Sequence, residues 1–273
     1  MAGPFERDTA VALERSEANT REFSAEVASG WRAGRGPHGG YLTAMLLRAL
    51  TEMVADPSRS ARSLTVHFLS APEPGPVRIA TALERAGHSF SFLSAHLEQR
   101  GKPMALALAA FSPAWSGPEF CEDAMPAVSA PEPGRKPGTV IPADRGGPEF
   151  AQHITLQARF GGIPFADPTA PMEAGGWIGL VEPRPLDALA LAFFCDALIP
   201  APFMRTPTFA PAPTIDITIH FRSALGPRAA EELVLARSRT RLVHEGFFEE
   251  DAEIWAADGT LLAQSRQLAL LMG

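Results

Sequence analysis

Leu64-Thr65-Val66-His67-Phe68 returns in the second half of the chain as Ile217-Thr218-Ile219-His220-Phe221, with a serine two residues beyond each, Ser70 and Ser223. Alternation of this kind specifies a strand with one apolar face. The segments after the two copies match as well. An extended stretch ends in Arg-x-x-His (Arg85 to His88, Arg241 to His244), and after it come a strand, a turn at Arg100-Gly101 or Asp258-Gly259, and a last apolar strand. One apolar helix precedes each run, near 40–55 and over 186–199. Self-similarity on this scale means that one supersecondary unit is used twice.

Extending the same reading outward predicts strands at 62–70, 76–86, 90–99 and 103–112 in the first half, and at 153–160, 174–182, 213–222, 231–243, 246–257 and 260–271 in the second. Short turns between consecutive strands imply antiparallel pairing, and a helix apolar all round implies a sheet curled about it. The expected fold class is therefore α+β: two tandem units, 1–112 and 150–273, each a curled antiparallel sheet around a long central helix. Residues 113–149 are so rich in Pro and Gly that neither helix nor strand can run far, and are expected to be a linker.

Composition narrows the function. The 273 residues are 46% hydrophobic and 20% charged, ordinary for a soluble globular chain. A net charge of -7 without a basic stripe argues against a nucleic-acid partner. There is no apolar run of about 18 residues, so no membrane span is expected. The charged first 26 residues lack the apolar core of a secretory signal, from which a cytoplasmic location is expected. Two cysteines, Cys121 and Cys195, make no disulfide framework, and the seven histidines lack ligand spacing, so no metal site is expected. Neither a G-x-S-x-G elbow nor a P-loop or dinucleotide fingerprint is present, which speaks against a serine hydrolase of the α/β type and against nucleotide chemistry.

One acid stands out. In LDALALAFFCDALI, residues 186–199, a 3.6-residue period puts Asp196 beneath Leu189, Ala192, Phe193 and Ile199. Burying a carboxylate costs on the order of several kcal/mol unless it is hydrogen-bonded. Either Asp196 belongs to a site, or it caps locally, or the helix ends early and leaves it exposed near Pro200. Gln267 raises the same question, since it shares a strand face with Ala263, Ser265, Ala269 and Leu271. On the preceding strand Thr214 alternates with Asp216, Thr218 and His220, and the residues alone do not choose among them. His38-Gly39-Gly40 leads into the first helix, whose first N–H groups have no partner within the helix. Gly39 or Gly40 could thus supply a donor to an oxyanion, or serve only a tight turn. Aligning Leu50 with Leu198 puts Arg48 where the second half has Asp196, so one site per chain is expected.

Taken together, Pro37-His38-Gly39-Gly40-Tyr41, Arg62 to Phe68, the Asp196 helix, Pro213-Thr214-Ile215-Asp216 and the 263–268 strand with Gln267 resemble the TesB-like acyl-CoA thioesterases, which are double hot-dog proteins. The resemblance covers most of 20–112 and 153–273; the linker departs from it. It implies hydrolysis of acyl-CoA to a free acid and coenzyme A without a cofactor, by a water held and activated by Asp196, Thr214 and Gln267. His38, Gly39, Gly40, Phe193, Phe194 and Phe203 are expected to contact the substrate, the phenylalanines along an acyl tunnel. A homodimer is expected. Two other readings stay open: an acyl-CoA binder without turnover, and a hot-dog enoyl-CoA hydratase drawing on His38, His220 or His244.

Overall fold

The computed structural model describes residues 2–141, 147–223 and 233–272. Residues 231 and 232 of the expected strand 231–243, and 142–146 of the expected linker, lie outside them. The first half runs α1 (Pro4–Asp8), β1 (Val11–Ser16), β2 (Thr20–Val27), the two-residue partners β3 (Arg32–Ala33) and β4 (Gly36–Pro37), α2 (Gly39–Val54), β5 (Ser60–Phe68), β6 (Gly75–Ala86), β7 (Ser91–Gln99) and β8 (Lys102–Ser112). The second half runs β9 (Ile154–Phe160), β10 (Glu173–Leu180), α3 (Ala188–Phe194), β11 (Thr214–Phe221), β12 (Val234–Arg239), β13 (Val243–His244), β14 (Phe247–Trp255) and β15 (Leu261–Leu270).

Strand order in the large sheet is β1-β2-β6-β7-β8-β5-β11-β15-β14-β12-β10-β9, with β13 beside β14. The order is a palindrome of the two halves. Its centre is the repeated segment paired with its own copy: Leu64 opposes Ile219, Val66 opposes Ile217, and Thr65 opposes Thr218 with their hydroxyls 3.0 Å apart. The four apolar residues are fully buried, so the inward faces of the two copies form one continuous core across the seam. β1 and β2 were not expected from the sequence. They complete the symmetry as counterparts of β9 and β10.

α2 is capped at its start by His38, whose side chain accepts the Tyr41 N–H, and at its end by Ala55 in a left-handed conformation (φ 49°). Leu42, Met45, Leu46, Leu47, Leu50 and Met53 are all buried, which accounts for a helix apolar on every side. The second helix departs from expectation. Asp187 caps it by accepting the Ala190 N–H, and it stops at Phe194 instead of reaching 199. The Asp196 N–H then bonds back to the Phe193 carbonyl and the Ala197 N–H to the Phe194 carbonyl, three residues back, so the last turn tightens and the chain leaves before Pro200. The long central helix expected in both halves is long only in the first.

Residues 113–141 carry no helix or strand, yet they lie against the second half. Met125 and Val128 pack on a separate cluster of Trp177, Leu233, Leu235 and Trp255. The Trp177 indole N–H donates to the Ser129 carbonyl at 2.8 Å, and Gln157 exchanges two hydrogen bonds with the backbone of Glu132, at 2.7 and 2.9 Å. These bonds make the segment a strap over the sheet. No helix among the described residues is long and apolar enough to cross a membrane.

Candidate functional site

The turn after α3 meets the N-terminus of α2, and Asp196 lies at that junction. Its Oδ2 accepts the Gly40 N–H at 2.7 Å, so the carboxylate sits on the positive end of a 16-residue helix. Only glycine allows the approach. A Cβ on Gly40 would stand 2.7 Å from the Phe193 carbonyl oxygen and 3.1 Å from the Asp196 Cβ. His38 completes this corner. Its Nδ1 accepts the Tyr41 N–H at 3.3 Å, which assigns the proton to Nε2, and Nε2 donates to the Asp196 carbonyl at 2.9 Å while lying 3.5 Å from Oδ2. Burial pushes the His38 pKa down, against the pull of Asp196, so the ring is neutral at pH 7. Burial pushes the Asp196 carboxyl up, opposed by His38, the Gly40 N–H and the Thr214 hydroxyl. The Asp196 side chain keeps 9% of its surface exposed, so solvent reaches it.

Thr214 reaches the interior through a bulge. In the β11–β15 pairing Thr214 opposes Ala269 and Asp216 opposes Leu268, so the register skips Ile215. Strict alternation from Ile217 and Ile219 would turn Thr214 outward; the bulge returns it to the face of Gln267 and Ala269. The Thr214 hydroxyl donates to Gln267 Oε1 at 3.0 Å. The same hydroxyl also lies close enough to Asp196 to lower its pKa, so one proton has two acceptors. Beyond Gln267 the network continues into a residue that the sequence reading missed. Gln267 Nε2 donates to Glu250 Oε1 at 3.2 Å, and Glu250 Oε2 accepts the Ala201 N–H at 2.7 Å. Glu250 is 3% exposed, and burial, reinforced by the Asp196 charge, pushes its carboxyl to about 7. Its signal was available: β14 buries Phe248, Glu250, Ala252 and Ile254 in strict alternation. The acidic neighbours Glu249 and Asp251 hide one inward acid in an apparently solvated run.

Phe193 is fully buried, packing edge-on or tilted against Phe5, Trp31, His38, Phe150 and Phe194. Phe194 and Phe203 are also buried, Phe203 against Phe165 and Phe209. A Cβ on Gly39 would stand 2.8 Å from Asp196 Oδ2. A cleft of about 160 Å³, lined by Phe5, Trp31, His153 and Arg184 among others, includes none of Asp196, Thr214 and Gln267.

The first half lacks this set. Its matching bulge in β5 lies between Ala61 and Ser63, so Ala61 takes the place of Thr214. Ala109 opposes Leu64 as Gln267 opposes Ile217, and Leu93 opposes Ala109 as Glu250 opposes Gln267. All three are apolar and buried. Arg48 points elsewhere, to Glu6 Oε1 at 2.8 Å and the Thr9 hydroxyl at 2.9 Å.

Two family models match the chain: an acyl-CoA thioesterase N-terminal domain over 27–112 and an acyl-CoA thioesterase C-terminal domain over 118–271. Uncharacterised proteins of Mycobacterium bovis and Mycobacterium tuberculosis are each 24% identical, over 92% of this chain and 91% of theirs. Among solved structures, a protein of unknown function with a hot dog fold from Alicyclobacillus acidocaldarius superposes with a TM-score of 0.83 at 23% identity, covering 100% of this chain and 99% of that one. An acyl-CoA thioesterase II from Mycobacterium marinum gives 0.71 at 20% identity, covering 98% and 96%. The two structures speak to the fold, a hot-dog fold.

Proposed function

The chain belongs to the acyl-CoA thioesterase family, and from that premise we propose that it hydrolyses acyl-CoA with a water activated by Asp196 and oriented by Thr214 and Gln267. The water oxygen attacks the thioester carbonyl carbon while Asp196 takes its proton. The tetrahedral intermediate then collapses, the carbon–sulfur bond breaks, and the proton returns to the departing sulfur, giving a free acid and coenzyme A. A base works best with a pKa near the working pH, and burial of Asp196 moves it that way. Because Asp196 occupies the Gly40 N–H, the Gly39 N–H in the same turn is the donor assigned to the developing oxyanion.

The observation that carries this reading is the Thr214–Gln267 hydrogen bond at 3.0 Å beside a carboxylate anchored on a helix N-terminus, a pair whose places in the first half are taken by Ala61 and Ala109. Release of free thiol from a panel of acyl-CoA esters tests it. Thr214→Val and Gln267→Ala should each lower kcat by about 10–100-fold, the scale of a lost orienting contact. Acyl-CoA bound tightly with no thiol released at any chain length would overturn hydrolysis in favour of binding alone.

A further inference from the structure

Glu250 is a buried acid that takes no part in the proton transfers from water to Asp196 and on to sulfur. It cannot be packing filler, because both of its oxygens are engaged, by the Ala201 N–H at 2.7 Å and by the Gln267 amide at 3.2 Å. Its counterpart in the first half, where no polar network forms, is Leu93. The acid therefore goes with the network and not with the fold.

We propose that Glu250 is a positioning residue for thioester hydrolysis: its carboxylate locks the Gln267 amide so that Thr214 donates to Gln267 and Asp196 stays open as the proton acceptor. This rests on the roles proposed for Asp196, Thr214 and Gln267. A primary amide presents an oxygen or an NH2 to either side, and nothing in Gln267 itself selects between them. An ionised Glu250 accepts only. It draws the NH2 to itself and turns Oε1 toward Thr214, which then gives its single proton to Gln267. Thr214 is left with a lone pair for one water proton and Asp196 with a free oxygen for the other, so the water's own lone pair points outward. With Glu250 absent, a flipped amide would donate to the Thr214 oxygen, and Thr214 would turn its proton to Asp196 and occupy the base.

Glu250→Gln tests this, since an amide offers one carbonyl oxygen to two donors and must set its own NH2 against one of them. At pH 8, where the carboxyl of about 7 is mostly ionised, the variant should lose about 10–100-fold in kcat with KM changed by less than about threefold. In a Gln267→Ala background the same substitution should change kcat by less than about twofold, because the residue it acts through is gone. Unchanged kcat in the single variant, or an undiminished loss in the Gln267→Ala background, overturns the assignment. Glu250→Asp, which withdraws the carboxylate by one methylene, gives the same two outcomes if the Gln variant does not fold. Asp196→Asn measured alongside separates the levels. Wild-type turnover there would sink the reading of the site, whereas its collapse beside an unaffected Glu250→Gln would sink only the role of Glu250.

Discussion

Gly40→Ala inserts a methyl where α2 meets the turn after α3. The new Cβ would stand 2.7 Å from the Phe193 carbonyl oxygen, 2.9 Å from His38 Cε1 and 3.1 Å from the Asp196 Cβ. Carbon contacts settle at about 3.5–4.0 Å, so the helix start and the turn must separate by roughly half an ångström or more. Neither side yields cheaply, because the Phe193 oxygen is backbone and already accepts the Asp196 N–H. Overpacking of this kind costs about 1–3 kcal/mol, and stretching the charged Gly40–Asp196 hydrogen bond forfeits part of a further 1.5–3 kcal/mol or so. At about 2–4 °C per kcal/mol for a chain near this size, Tm should fall by at least about 2 °C. A base displaced by this distance should also lose about 10-fold or more in kcat, since about 1 Å of misplacement costs on the order of 100-fold. Thermal unfolding and thiol release read the two effects separately. Tm within about 1 °C of wild type together with kcat within about twofold would refute this reasoning. Gly39→Ala gives the contrast: its Cβ meets side-chain atoms only, Asp196 Oδ2 at 2.8 Å and Phe68 Cζ at 3.2 Å. These can rotate, so stability should fall less while kcat still drops.

Titration and the strap supply further tests. Glu250 has its pKa raised from 4.5 to about 7 in the folded protein. The folded state therefore holds a proton that the unfolded state releases, and the associated stability is present below about pH 4.5 and lost as pH rises through about 7. The full span amounts to roughly 3 kcal/mol. The burial of His38, which lowers its pKa, works in the opposite sense below about 6.5. Comparing Tm against pH for wild type and Glu250→Gln isolates the carboxyl: the wild type should lose stability relative to the variant between pH 5 and 8, and parallel curves would contradict the burial of an acid there. Trp177→Phe removes the donor to the Ser129 carbonyl, a loss of about 0.5–1.5 kcal/mol. Limited proteolysis within 113–141 should then accelerate, and an unchanged cleavage rate would show that the strap is held by its apolar contacts alone.

Legibility in the sequence followed burial. β5 to β8, β11, β14 and β15 announced themselves because one face is buried and the other is not, and the repeated segment marked the seam at which the halves pair. β1 gave no such signal, since Val11 is half-buried and the five residues after it are exposed. The second helix is shorter than its apolar run predicts for the opposite reason. Ala197, Leu198 and Ala201 are buried in a turn and a short 3-10 segment, so their apolarity reports burial without helicity. Asp196 and Gln267 were conspicuous as polar groups among apolar ones. The inward turn of Thr214 was not legible, because a bulge breaks the period that assigns faces. Glu250 was legible from its own strand and was masked by its acidic neighbours.

The most direct measurement is thiol release from acyl-CoA by Asp196→Asn. Asparagine keeps the size and can still accept the Gly40 N–H through its carbonyl oxygen, so the junction of α2 and α3 should hold and KM should stay within about threefold. What it removes is the basic carboxylate, and with it general-base assistance worth about 10²–10⁴-fold. The expected result is a kcat at least about 100-fold below wild type in a variant that melts no lower. Turnover within about threefold of wild type would contradict the role of Asp196 as the base.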